Sequence, residues 1–117
     1  AIRRLQQEGK VPTGTEFSWE RLIMPMINEA VLCLMENIAS VNDIDMAMMA
    51  GTGMTYKGER MGPLQLADTL GLDYVLEKLQ EFHAKYGERF RPARLLKLKV
   101  KAGHLGKKVG KGFMEYA

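Results

Sequence analysis

The sequence predicts an all-α domain, an orthogonal bundle of about five helices joined by short links. Three observations lead to this prediction. Apolar residues recur at helical spacing, glycine or proline separates these stretches, and no pair of alternating strands stands out. With 117 residues, of which 46% are hydrophobic and 26% charged, the chain has the size and composition of one globular domain with a single core.

The first helix is predicted from Trp19 to Asn37, with Ser18 as its N-cap. Pro25 lies too deep in this helix to serve as an opening residue. It removes one backbone hydrogen bond, so we expect a bend near residues 21–22. The apolar residues that set the helical spacing are Leu22, Ile23, Met26, Ile27, Ala30, Val31 and Leu34.

The second helix is predicted from Val41 to Ala50. Ser40, followed three residues later by Asp43, resembles a capping box, and Gly51 is placed to stop the helix. A glycine-rich loop over residues 51–62 is expected to follow.

The third helix is predicted to begin with Pro63 at its first position and to end at Gly71. The fourth should run over residues 74–86, with Asp73 as its cap and Gly87 as its end.

The fifth helix is predicted to open at Pro92, to reach about Ala102 and to close at Gly103. The remaining segment is rich in glycine and basic residues. We expect its end, residues 112–116, to form an extended docking strand.

Residues 1–17 show no periodicity and contain two glycines and a proline, which is typical of a linker. We therefore expect an arm from a preceding domain over residues 1–17 and a helical domain over residues 18–117. Because the chain opens with Ala1 and this arm, we interpret it as a piece of a longer protein.

The charge and cysteine content narrow the function classes. The net charge is +3, and basic residues concentrate over residues 85–117, where they could attract phosphate on a nucleic acid or a coenzyme. A solvated helix face is the favoured interpretation, since no nucleic-acid-binding signature is present. No apolar run is long enough to span a membrane. The single cysteine excludes an intrachain disulfide and favours a cytoplasmic setting.

Few residues suggest chemistry on their own. The Gly-Thr-Gly run at residues 51–53 lacks the strand and flanking residues of a phosphate loop. His83 and His104 lack metal-ligand spacing, so no metal site is predicted, and His83 is expected at the surface or at its boundary with the core. Asn28 and Glu29 interrupt an apolar helix, and a structural tie to a neighbouring loop is favoured over catalysis.

Met46, Met48 and Met49 are expected to fill the core. The alternative is a groove for an acyl chain or a partner helix. Cys33 is expected to be an inert packing residue.

Seven segments taken together resemble the carboxy-terminal helical domain of 3-hydroxyacyl-CoA dehydrogenases. Their order and spacing hold from about residue 19 to residue 116. They are residues 21–30 (RLIMPMINEA), 38–40 (IAS), 43–48 (DIDMAM), 61–64 (MGPL), 67–73 (ADTLGLD), 89–92 (RFRP) and 106–113 (GKKVGKGF).

The resemblance implies a fold of the 6-phosphogluconate dehydrogenase C-terminal-domain type. It also implies a parent enzyme that oxidises L-3-hydroxyacyl-CoA with NAD in fatty-acid β-oxidation. In this family a Rossmann domain binds NAD and carries a catalytic His–Glu pair, while the helical domain covers the acyl-CoA and supplies the dimer contact. Neither the NAD fingerprint nor that pair occurs in this chain, so we expect no bound cofactor and no activity from the chain alone.

Glu20 departs from the family pattern. Catalytic copies open the first helix with Asn-Arg-Leu, and the Asn helps to position substrate; here Glu20 precedes Arg21 and Leu22. A carboxylate cannot donate a hydrogen bond to a thioester oxygen that gains negative charge. We therefore expect no catalytic residue in this chain and interpret it as the second of two tandem copies. Two alternatives are a catalytic copy with an adapted Glu20 and a basic helical nucleic-acid-binding module.

Overall fold

The computed structural model describes residues 18–116, and the all-α prediction is confirmed across them. No helix in this range is both long and apolar enough to cross a membrane. The α-helices are α1 (Glu20–Met35), α2 (Val41–Thr52), α3 (Pro63–Leu70), α4 (Leu72–Tyr86) and α5 (Arg94–Lys101), and short 3₁₀ turns cover Glu88–Phe90 and Lys107–Val109.

The loop after α2 contains a two-stranded antiparallel hairpin that the sequence analysis missed. Strand β1 (Thr55–Tyr56) pairs with β2 (Glu59–Arg60). The turn residues Lys57 and Gly58 both have positive φ, 51° and 81°. Such a turn normally carries Asn or Asp before the glycine. Because Lys57 stands at that position, the sequence lacks the usual pattern of a hairpin turn and predicted only a glycine-rich loop.

Two of the predicted helix starts are confirmed. The Ser40 hydroxyl accepts from the backbone N–H of Asp43 at 3.2 Å and caps α2. Pro63 opens α3, where its missing N–H costs no helical hydrogen bond. Ser18 accepts from the N–H of Glu20 at 3.3 Å, but the residue at the N-cap of α1 is Trp19.

Several predicted helix boundaries are wrong. Helix α1 ends at Met35 and not at Asn37. Helix α2 continues through Gly51 to Thr52, and its cap is Gly53, which has the left-handed φ of 67° that suits a glycine cap. Helix α4 begins at Leu72, one residue before the expected cap Asp73. Helix α5 begins only at Arg94, because the preceding backbone is held in an extended form by Asn28 of α1.

The core lies where α3 packs against α1, α2 and α4. Most of α3 is buried, although it is only eight residues long. The apolar side chains of the core are Met24, Ile27, Ala30, Val31, Ile44, Met61, Leu64, Leu66, Ala67, Leu72, Val75, Leu79, Phe82, Phe90, Ala93, Leu96 and Phe113.

Asp45 on α2 fixes the start of α3. Its two buried carboxyl oxygens accept from the backbone N–H groups of Leu64 and Gln65, each at 2.8 Å. Burial raises the pKa of Asp45, an effect that these two hydrogen bonds oppose. The Gly62 backbone passes so close that a Cβ there would lie 2.5 Å from the Cα of Asp45.

Asp68 on α3 fixes the end of the chain. Its side chain, 1% exposed, accepts from the N–H groups of Phe113 (2.9 Å) and Met114 (3.0 Å) and from the Tyr116 hydroxyl (2.7 Å). A Cβ at Gly112 would overlap the Asp68 carboxyl group. The segment therefore docks as predicted, but onto a side chain. It forms isolated bridges at Lys111 instead of the expected strand.

The packing around Gly62 gives a direct test. Gly62→Ala should lower the free energy of unfolding by about 2 kcal/mol or more, because the added methyl must displace Asp45 from the start of α3. Gly51→Ala is the matched control. Gly51 lies within α2 with open space around it, so alanine there should stabilise the domain by up to about 1 kcal/mol. Urea denaturation measures both, and equal effects of the two variants would contradict this packing.

Candidate functional site at the start of the first helix

The start of α1 holds Glu20, the residue that the resemblance places where catalytic copies carry Asn. The Tyr74 hydroxyl, from the first turns of α4, donates a short hydrogen bond to Glu20 Oε2. The Ser18 hydroxyl lies 3.5 Å from Glu20 Oε1. Both carboxyl oxygens of Glu20 therefore have a neighbouring hydroxyl within the domain.

The Tyr74 hydroxyl and the Glu20 carboxyl group have complementary roles as hydrogen-bond donor and acceptor. The hydrogen bond to Glu20 is the largest of several effects that raise the pKa of Tyr74 to about 12. The phenol thus stays protonated at neutral pH and donates its hydrogen to the Glu20 carboxyl group. The arrangement offers no proton to a substrate and no positive electrostatic potential to a developing oxyanion.

Arg21 anchors the same turn from the other side. Its guanidinium lies over the rings of Tyr86 and Phe90, with 4.6 Å and 4.4 Å to the ring centres. Both rings pack against Phe82 at 5.7 Å between ring centres. The start of α1 is thereby fixed to both ends of α4, through Tyr74 and through Tyr86.

Two apolar side chains at the start of α1 remain exposed. Leu22 is 63% exposed and Trp19 is 43% exposed. The Trp19 ring lies 6.2 Å from the ring of Tyr56 in the hairpin. The start of α1 and the hairpin therefore form one surface that carries both Glu20 and exposed apolar groups.

The predicted tie from the first helix to a loop is confirmed for Asn28. Its amide donates to the carbonyl oxygen of Arg91 at 2.9 Å and accepts from the N–H of Ala93 at 2.8 Å. Glu29 is exposed and is not buried as the tie would require. Asn28 therefore has a structural role.

His83 lies partly exposed at the end of α4, as expected. Its Nε2 is 3.0 Å from Glu88, and hydrogen bonds from His83 and Arg91 hold the pKa of Glu88 below its usual value. His104 is half-buried. Over residues 18–116, no three His, Cys, Asp or Glu side chains cluster as metal ligands would.

The methionine prediction is partly wrong. Met46 is 63% exposed, and it lines a shallow cavity with Met49 and Arg60. Met48 lines a separate apolar groove together with the half-buried Cys33. The core methionines are instead Met24 and Met61.

The Gly-Thr-Gly run at residues 51–53 forms the end of α2. The Thr52 hydroxyl donates to the carbonyl oxygen of Met48 at 2.6 Å. The run is the last turn and the cap of α2, whereas a loop was predicted from Gly51 onward.

The comparisons with known proteins agree with this architecture. The family model described as 3-hydroxyacyl-CoA dehydrogenase, C-terminal domain, matches residues 17–116. The chain belongs to this family.

Individual relatives support the same assignment. The chain is 44% identical to a probable 3-hydroxybutyryl-CoA dehydrogenase of Bacillus subtilis over 101 residues, which are 86% of this chain and 33% of that protein. It is 42% identical over 86 residues to the fatty acid oxidation complex subunit alpha of Shewanella amazonensis, covering 72% of this chain and 12% of that subunit.

Among solved structures, the (S)-3-hydroxybutyryl-CoA dehydrogenase of Ralstonia eutropha superposes with a TM-score of 0.79. It is 38% identical, and the match covers 86% of this chain and 34% of that one. The chain thus spans about a third of the length of the dehydrogenases it matches.

The Glu20–Tyr74 pair predicts a measurable titration. Glu20→Gln removes the negative charge that favours the protonated phenol, so the Tyr74 pKa should fall from about 12 toward 10.0. Because the folded-state pKa is raised, the pair stabilises the fold fully below the unfolded pKa of Tyr74, and this contribution is lost as pH rises through the folded value.

The measurement is a ¹³C NMR titration of the tyrosine Cζ resonances. At about pH 11, Tyr74 should be mostly protonated in the wild type and ionised to a clearly larger extent in Glu20→Gln. Glu77→Gln is the control, because Glu77 acts on Tyr74 only as a more weakly coupled charge. An unchanged Tyr74 titration in Glu20→Gln would show that the hydrogen bond does not form.

Proposed function

We propose that the chain is the helical domain of an NAD-dependent L-3-hydroxyacyl-CoA dehydrogenase. In the parent enzyme this domain would cover the substrate and form the dimer contact. The parent would oxidise 3-hydroxyacyl-CoA to 3-oxoacyl-CoA in fatty-acid β-oxidation. The observation that carries the proposal is the family match along residues 17–116. The dehydrogenases it resembles are about three times longer, which leaves room for an NAD-binding domain in the same parent.

In this proposal a Rossmann domain of the parent holds NAD and the catalytic pair, and the acyl-CoA lies between that domain and this one. Residues 1–17, which lie outside the described residues, are the arm that connects to the preceding domain. Residues 18–117 form the helical domain. The chain itself holds no resident cofactor or metal, and its setting is cytoplasmic.

We further propose that this is a second, non-catalytic copy of the domain. The supporting observation is that Glu20, at the position of the family Asn, accepts from Tyr74 within the domain. The alternative is a catalytic copy in which Glu20 faces the substrate. It requires the carboxylate to leave Tyr74 and to approach an oxygen that gains negative charge. A nucleic-acid-binding module is not favoured, because the named relatives are dehydrogenases.

The exposed apolar side chains support a role in association. They lie at the start of α1, around its end, on α2 and on α5. Where such side chains form a contiguous patch, the patch commonly marks a contact with a second protein or domain. We propose that they contact the parent's other domains and a second copy of the parent. Among them are Leu22, Ile38, Met46 and Leu98.

The isolated chain should have no dehydrogenase activity with acetoacetyl-CoA and NADH. The physical reason is that residues 1–117 include neither a dinucleotide-binding fingerprint nor the family's catalytic pair. NADH absorbance at 340 nm is the readout, with a no-protein blank. NADH oxidation above the blank in a preparation purified to homogeneity would contradict the proposal that the NAD site and the catalytic pair lie in another domain of the parent.

Glu20→Asn in the intact parent distinguishes a non-catalytic copy of the domain from a catalytic one. If the copy is non-catalytic, turnover should change by less than about twofold, because losing the Tyr74 contact affects local stability alone. If Glu20 faces substrate, losing one positioned group typically changes the rate by about 100-fold.

Glu29→Asn is the control, since Glu29 is an exposed carboxylate on the same helix. Steady-state kinetics measure the effect, and circular dichroism verifies the fold. A change of about tenfold or more for Glu20→Asn alone would contradict the second-copy proposal.

A further inference from the structure

A cavity of about 470 Å³ opens where the 3₁₀ turn at Glu88–Phe90 and the first turn of α5 meet the side of α1. Four cationic side chains line it. They come from a stretch of only nine residues and are Arg89, Arg91, Arg94 and Lys97.

The cavity carries an excess of positive charge. Glu88 is the one carboxylate among its lining residues, and it already contacts Arg91, with 2.6 Å between Arg91 and Glu88 Oε2. Bonds from His83 and Arg91 keep the pKa of Glu88 low, so its charge persists. Within residues 18–116, no carboxylate lies within ion-pair distance of the other three cationic side chains.

The backbone that carries these cations is fixed. Asn28, buried in α1, bonds to the carbonyl oxygen of Arg91 and to the N–H of Ala93. Phe90, 1% exposed, anchors the preceding turn in the core. The cationic side chains therefore project from a rigid base, which lowers the entropic cost of gathering them around a ligand.

The lining favours one kind of ligand chemistry. A guanidinium group matches the oxygens of a phosphate with two parallel hydrogen bonds, and the cavity has three such groups. Leu32 and Pro92 add an apolar wall beside them. The volume falls within the range of small-molecule sites, and a concave site suits a compact ligand better than a long nucleic-acid backbone.

We propose that this cavity binds a small organic phosphate, with its phosphate oxygens at the guanidinium groups and an apolar or ring portion against Leu32 and Pro92. The site shares no residue with the Glu20–Tyr74 pair. It does not depend on the proposed function, because the isolated chain can be tested without any NAD-binding domain.

The experiment titrates the full chain with inorganic pyrophosphate and, separately, with adenosine 5′-diphosphate, following ¹H–¹⁵N NMR spectra at low ionic strength. Both should shift the amide signals of residues 88–97, and the nucleotide should bind more tightly because it adds contact with the apolar wall. Replacing Arg94 with Gln should weaken binding about tenfold, since a bond to a charged group is lost. Arg94→Lys should recover part of that loss, because the charge returns without the planar fork.

Lys101→Gln is the matched control. It removes one exposed charge from the last turn of α5, outside the cavity, and should change the affinity less than about twofold. The wild-type shift map tests the site even if a variant fails to fold.

Four outcomes overturn the proposal. The first is no binding of either probe at millimolar concentration, and the second is shifts centred elsewhere on the chain. The third is equal weakening by Arg94→Gln and Lys101→Gln, which indicates diffuse charge attraction. Binding to a random-sequence oligonucleotide, with none to the two small probes, also contradicts the proposal.

Discussion

The fold depends on α3, a helix of eight residues held by two buried aspartates. Asp45 binds its first N–H groups from α2, and Asp68 reaches out from it to the end of the chain. A helix this short has little stability of its own. The aspartates satisfy backbone groups that would otherwise be buried without partners, and each such group costs about 1–3 kcal/mol. The glycines beside them, Gly62 and Gly112, allow the close approach.

The sequence predicts those features that depend on near neighbours. Ser40 and Pro63 predict helix starts because a capping side chain or an opening proline acts on the first turn of its own helix. The role of Asn28 was predictable in kind, since a buried amide must find partners. Asp68 was not, because its partners lie 45 to 48 residues away and periodicity carries no information about them. The hairpin was not predicted because Lys57 occupies the turn position before the glycine that Asn or Asp normally occupies.

The candidate site at the start of α1 could be predicted only in part. Resemblance to a family located Glu20 and its departure from the pattern, whereas residue chemistry alone would have given an unremarkable first-turn carboxylate. Its partner Tyr74 lies 54 residues along the chain and had no signal in the sequence. The same limit applies to Arg21, whose contacts with Tyr86 and Phe90 exist only once α4 is folded beside α1. Together these contacts make the start of α1 a rigid part of the domain.

Asp68→Asn tests the central constraint most directly. Asn keeps the size of the side chain but presents one acceptor oxygen in place of two, so at least one of the three bonds to the C-terminal segment must be lost. Asp73→Asn is the control, because it breaks an exposed ion pair to Lys108 that is expected to contribute about 1 kcal/mol or less. Denaturation with amide hydrogen exchange should show Asp68→Asn destabilised by about 2 kcal/mol or more, with Phe113 and Met114 losing protection. Stability within about 0.5 kcal/mol of the wild type, with those amides still protected, would contradict the account.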